Sequence, residues 1–214
     1  MRGGVFACAL AVFAAAAAEA EPPAQDRVEA GCRVRATAVD ERGVASVHAH
    51  CEWDEAPAAV LAILRDPARL AAALDSLAEC QALPGGRFEV HSLGWPLADR
   101  QVTLDWREQA LPKGGARFSF GAAASQAPLE AGRVQIAIDE GYWEVGPRAG
   151  GGTRLDYHSR YQPGGNLSPE VVRHFQRAGV ARALTDLRAA AEASTAISPD
   201  VAAPPPPLTA EPKP

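Results

Sequence analysis

An α+β fold is what the sequence predicts: a curved antiparallel sheet wrapped around one long C-terminal helix, with two short helices after the second strand. Three observations carry that expectation. Between residues 28 and 192, short stretches of apolar and polar alternation recur between Gly- and Pro-rich turns, the pattern of an antiparallel sheet with one buried face. Ala- and Leu-rich segments at 56–64 and 67–77 break that period. From Val172 to Ala191, apolar side chains fall at the three- and four-residue spacing of a helix.

The elements follow in order. Two strands flank the turn Asp40-Glu41-Arg42-Gly43, and symmetric pairing about it sets Cys32 opposite Cys51. Alternation puts Cys32, Val34 and Ala36 on one face of the first strand and Val47, Ala49, Cys51 and Trp53 on one face of the second. A Cys32–Cys51 disulfide is therefore expected, provided no bulge shifts the register, with Cys80 left as a buried free thiol. Asp66-Pro67 divides the two short helices, since Pro is favoured at a first helical position. Strands are then expected at Val102, Leu104 and Trp106, at Phe118 and Phe120, at Val134, Ile136 and Ile138, and at Leu155, Tyr157 and Tyr161. Turns are expected at Leu83-Pro84-Gly85-Gly86, Leu111-Pro112-Lys113-Gly114-Gly115, Asp139-Glu140-Gly141, residues 146–152 and Gln162-Pro163-Gly164-Gly165. Ser168-Pro169-Glu170 opens the last helix with an N-cap, a proline at the first position and an early acid. A curved sheet around a long helix leaves a concave apolar space, where small apolar ligands usually bind.

The ends read differently. Residues 1–20 join Arg2, an apolar run over 5–18 and Ala18-Glu19-Ala20, the form of a cleaved signal peptide too short to span a membrane. That makes the protein exported, periplasmic or secreted. Residues 21–27 read as a linker, 28–192 as the domain, and 193–214, with its Pro204-Pro205-Pro206-Pro207 run, as a disordered Pro-rich tail. Twenty-one basic against 26 acidic residues give a net charge of −5, which argues against nucleic acid as a partner. The chain holds no nucleophile elbow, phosphate loop, dinucleotide glycine pattern or H-E-x-x-H motif, and neither cofactor nor metal is expected.

Three segments carry a resemblance. Trp95-Pro96-Leu97-Ala98-Asp99-Arg100-Gln101-Val102 resembles the W-P-hydrophobic-S-D-R-D segment of START (StAR-related lipid-transfer) domains. Gly141-Tyr142-Trp143 followed by 151–157 is similar to the paired strands of bacterial members, and Gln162-Pro163-Gly164-Gly165-Asn166-Leu167-Ser168-Pro169 to the entry of their final helix. Gln101 and Gln162 depart from this pattern, each replacing an acid. The resemblance implies the helix-grip fold of the SRPBCC superfamily and a cavity for one hydrophobic, lipid-like molecule, lidded by the last helix. It also implies a monomer that transfers its ligand through transient membrane contact.

Arg100 is the residue this assigns to the polar end of a ligand, because a guanidinium offers a fixed fork of donors; an ion pair with Asp99 or Asp105 accounts for it equally. Trp106, Phe118, Phe120, Tyr142 and Trp143 are the expected cavity walls, and Phe175 and Leu184 are expected to bury against the sheet, Phe175 touching ligand. No catalytic residue is assigned. The alternatives are a small cyclase- or isomerase-type enzyme using Asp156, Tyr157 and His158, and an envelope interaction module without ligand. His48 and His50 read as a wet strand surface rather than a metal site.

Overall fold

The computed structural model describes residues 27–37, 39–93, 98–124 and 128–196, with backbone alone for 27–29 and 196. The expected signal peptide, nearly all of the linker, Trp95-Pro96-Leu97 and residues 197–214 of the expected tail lie outside the described residues.

One sheet organises the chain. Strands β1 (Arg27–Glu29), β2 (Cys32–Ala36) and β3 (Ala45–Trp53) precede helices α1 (Pro57–Leu64) and α2 (Pro67–Ala73). The chain continues through β4 (Leu77–Leu83), β5 (Arg87–Ser92), β6 (Arg100–Ala110), β7 (Ala116–Ala122), β8 (Val134–Gln135), β9 (Ile138–Pro147) and β10 (Thr153–Gln162) to α3 (Pro169–Ala196). The strands lie in the order β1-β2-β3-β10-β9-β7-β6-β5-β4, antiparallel throughout, with β8 pairing β6 in parallel.

Local chemistry explains the boundaries. Asp40 shapes the β2–β3 turn, its carboxylate accepting from Arg42 N at 2.9 Å and Val44 N at 3.0 Å, and Gly43 turns the chain at φ +76°. The resulting register pairs Cys32 with Cys51, and a disulfide joins them. Asp66 caps α2 by accepting from Ala68 N and Arg69 N, with Pro67 at the first helical position. That helix ends at Ala73, short of the expected 77, because α3 captures the following turn: Asp186 accepts from Asp75 N at 3.2 Å and Arg182 reaches Asp75 Oδ2 at 2.9 Å. Leu77 begins a strand instead.

Two further expectations are corrected. Asp139-Glu140-Gly141 is no turn but part of the continuous pairing of β9 with β10, and Val134 and Ile138 belong to two strands separated at Ile136-Ala137. Turn-forming letters were outweighed there by ladder bonds on both sides of β9.

Helix α3 runs to Ala196, four residues beyond the expected domain end, and packs on β2, β3, α1 and α2. Its buried stripe is Val172, Gln176, Val180, Leu184, Leu187 and Ala191. Phe175, expected in that stripe, is 41% exposed. At 3.6 residues per turn it points about 130° away from the stripe's centre, where the His174 ring meets it edge-on at 5.5 Å.

Candidate functional site

The strand period of two divides the sheet's residues between a face toward α3 and the core, and an outer face. Phe88 and Val90 of β5, Val102, Leu104 and Trp106 of β6, Phe118 and Phe120 of β7, Trp143 and Val145 of β9, and Leu155 and Tyr157 of β10 all project inward. Their rings form a continuous band: Trp106 stacks on Phe88 at 5.0 Å and Phe120 at 5.8 Å, Phe120 on Tyr157 at 6.4 Å, and Tyr157 meets Trp143 at 4.2 Å. Gly141, Ser159 and Ala49 leave the middle of that face short of side-chain bulk. Only glycine fits at 141, where a Cβ would lie 2.0 Å from His158 O.

Polar groups interrupt the band. Trp106 Nε1 is buried without a partner. Asp139 sits opposite Tyr161 on the inner face, enclosed by protein, and burial pushes its carboxyl up to about 7. Burial, followed by the nearby Asp139 charge, pushes the phenols of Tyr157 and Tyr161 up as well, while Arg100 partly offsets this for Tyr161. Asp139, Tyr157, Tyr161 and Trp106 nonetheless keep accessible surface. Arg100, with the inward parity of Val102, is 6% exposed and its guanidinium donates to Ala98 O. Asp105, one of its expected ion partners, pairs instead with Arg87 at 3.2 Å.

Tyr142 is corrected. As the neighbour of inward Trp143 it faces outward, where the Arg117 guanidinium lies 3.8 Å from its ring centroid. The same parity separates the alternative catalytic set: Tyr157 points inward, whereas Asp156 and His158 lie outside. There His50 Nδ1 lies 2.6 Å from Asp156, and the His158 ring meets that of His48 at 4.2 Å, tilted by 40°, its pKa lowered by burial and by that neighbour. Among the described residues no group of three His, Cys, Asp or Glu is placed to hold a metal ion. Cys80, buried and free, has its thiol pushed up to about 11 by burial, which makes it unreactive.

A model of the family described as polyketide cyclase / dehydrase and lipid transport matches residues 44–192. The chain belongs to this family. No curated protein matches the sequence. Among solved structures, a STAR-related lipid transfer protein from Xanthomonas axonopodis is 19% identical, with a TM-score of 0.67 over 78% of this chain and 96% of the other. Human StAR-related lipid transfer protein 5 is 13% identical, with a TM-score of 0.68 over 83% and 90%. The di-domain ARO/CYC BexL is 13% identical, with a TM-score of 0.50 over 72% of this chain and 52% of the other. At these identities the likeness is one of fold, the helix-grip fold of START domains.

Both departures from the START pattern lie away from the inner face. Gln101, 1% exposed on the outer side of β6, donates to Glu89 at 2.9 Å and to Pro128 O at 3.4 Å and accepts from Glu130 N at 3.2 Å, fastening segment 128–130 over the sheet. Gln162 donates to Arg42 O at 2.6 Å, tying β10 to the β2–β3 turn. An outer pocket of about 390 Å³ lies beside Gln101, but Glu79, Glu89 and Glu130 line it, which suits no lipid-like molecule.

Sequence reading missed Asp139 and Phe88 as inner-face residues, and it placed Tyr161 on the apolar face of its strand without assigning it to the site. The signal was present for Asp139, two and four residues before inward Gly141 and Trp143, but turn-like letters hid it.

Proposed function

We propose that this protein binds one hydrophobic, lipid-like molecule in a cavity between the inner face of the sheet and α3, and passes it on through transient membrane contact as a monomer. The observation that carries this reading is the inner face itself, a continuous aromatic band left short of side-chain bulk at Gly141, Ser159 and Ala49, with Asp139 and Tyr157 only partly covered within it. The aromatic band would supply most of the affinity through apolar area removed from water, and Arg100 with Asp139 would orient the polar end. Family membership and the lipid-transfer names of the Xanthomonas and human proteins support it. Export through residues 1–20 into the periplasm or beyond is part of the same reading, supported by the Cys32–Cys51 bridge, which persists in oxidising compartments.

Nile red, which brightens on leaving water, tests the cavity. A saturable one-to-one brightening, reversed by an excess of 1-dodecanol, is the expected result; no saturable signal from folded protein contradicts it.

One observation favours cyclase- or isomerase-type catalysis as a second reading. A carboxyl poised near 7 beside two phenols is suited to moving a proton. Such chemistry would run through Asp139 and Tyr157, with no part for Asp156 or His158.

A further inference from the structure

Asp139 has no counter-ion. Among the described residues no hydrogen-bond donor or cation contacts its carboxyl, although such a group buried in an apolar setting is normally paired. The titratable and charged groups facing it are Tyr161 and Tyr157 from β10 and, beyond Tyr161, Arg100 from β6. From α3 comes Gln176, which donates to the carbonyl of Ala45, the residue paired with Tyr161, and whose Oε1 is buried without a partner. Among the described residues, this end of the inner face thus carries two acceptors with nothing to accept, the Asp139 carboxyl and Gln176 Oε1, beside the phenol of Tyr161.

Resting on the cavity reading above, we propose that Asp139, Tyr161 and Gln176 form the polar anchor of the site and select hydrophobic alcohols over hydrophobic carboxylates. A hydroxyl is the complement of this cluster, since it gives one hydrogen bond to an acceptor and takes one from the phenol. A carboxylate brings only acceptors and, once Asp139 ionises, a like charge into a poorly solvated space, while the Arg100 guanidinium beyond Tyr161 is engaged by Ala98 O. The burial-raised carboxyl makes the discrimination depend on pH: it is weak where Asp139 is protonated and strong where it is ionised.

Displacement of bound Nile red by 1-dodecanol and by dodecanoate at pH 6 and pH 8.5 tests this, with the Asp139→Asn protein separating a pH effect of Asp139 from protonation of the bound ligand. Wild-type protein is expected to prefer the alcohol by at least about tenfold at pH 8.5, narrowing to about threefold at pH 6, a tenfold ratio being about 1.4 kcal/mol. Asp139→Asn keeps the shape and removes the charge, so the preference for alcohol over carboxylate should become independent of pH. An alcohol preference in wild-type protein that is absent or unaffected by pH overturns the proposal without any variant. So does an Asp139→Asn protein that keeps the wild-type preference and pH response. If folded wild-type protein binds neither Nile red nor dodecanol, the cavity reading itself fails and the anchor falls with it.

Discussion

Replacing Asp139 by Asn should change how stability depends on pH. In the folded chain burial raises this carboxyl from 3.8 to about 7, so between those values the folded state holds a proton that the unfolded state has released. Wild-type stability therefore falls as pH rises from about 4 through 7. At about 1.36 kcal/mol per unit, the shift amounts to roughly 4 kcal/mol, an upper figure because the carboxyl keeps some contact with water. Asn carries no charge to desolvate and escapes this loss. In urea unfolding followed by circular dichroism, the variant's advantage over wild-type protein should grow by up to about 4 kcal/mol between pH 4 and pH 8, on the order of 10 °C in melting temperature. Two stability curves running parallel across that interval would refute the reasoning, because Asp139 would then titrate as it does in the unfolded chain.

Four other variants probe the frame. Removing the Cys32–Cys51 bridge by a double change to Ala should cost about 3 kcal/mol, and a reductant should lower the wild-type unfolding midpoint while leaving the variant's unmoved. Gly141→Ala should cost about 3 kcal/mol or prevent folding, since the new methyl meets His158 O, and the yield of folded protein with its unfolding midpoint reads the effect. The neighbouring pair Tyr142 and Trp143 should behave as opposites: Trp143→Ala costs about 3–5 kcal/mol and weakens Nile red binding, whereas Tyr142→Ala costs about 0.5–1 kcal/mol and leaves binding unchanged.

The frame was legible where local chemistry and tertiary demand agree. The Asp40 to Gly43 turn fixes both the hairpin and its register, and so predicts which cysteines oppose; Ser168-Pro169-Glu170 marks the start of α3. Legibility failed where the two conflict. Asp139-Glu140-Gly141 carries the letters of a turn, but β7 and β10 hold it in the ladder from both sides, a demand that only the assembled sheet makes. Tyr142 and Trp143 were both expected to wall a cavity, though adjacent residues of a strand cannot share a face. Phe175 was placed by its three-residue step from Val172, a spacing that also fits the flank turned away from the centre of the buried stripe. The inward direction of Trp106, Phe118, Phe120 and Trp143 could be read in advance because alternation with polar neighbours sets it. The polar end could not, since unpaired acceptors become visible only when their neighbours are in place.

The most direct test of the central claim is a native mass spectrum of the protein from its own compartment, taken also after incubation with 1-dodecanol and after denaturation without reductant. The account predicts an added mass on the order of a few hundred daltons, lost on denaturation, on a chain that carries one disulfide. A bare chain mass in both native samples would contradict it and leave a packed domain with no ligand to carry.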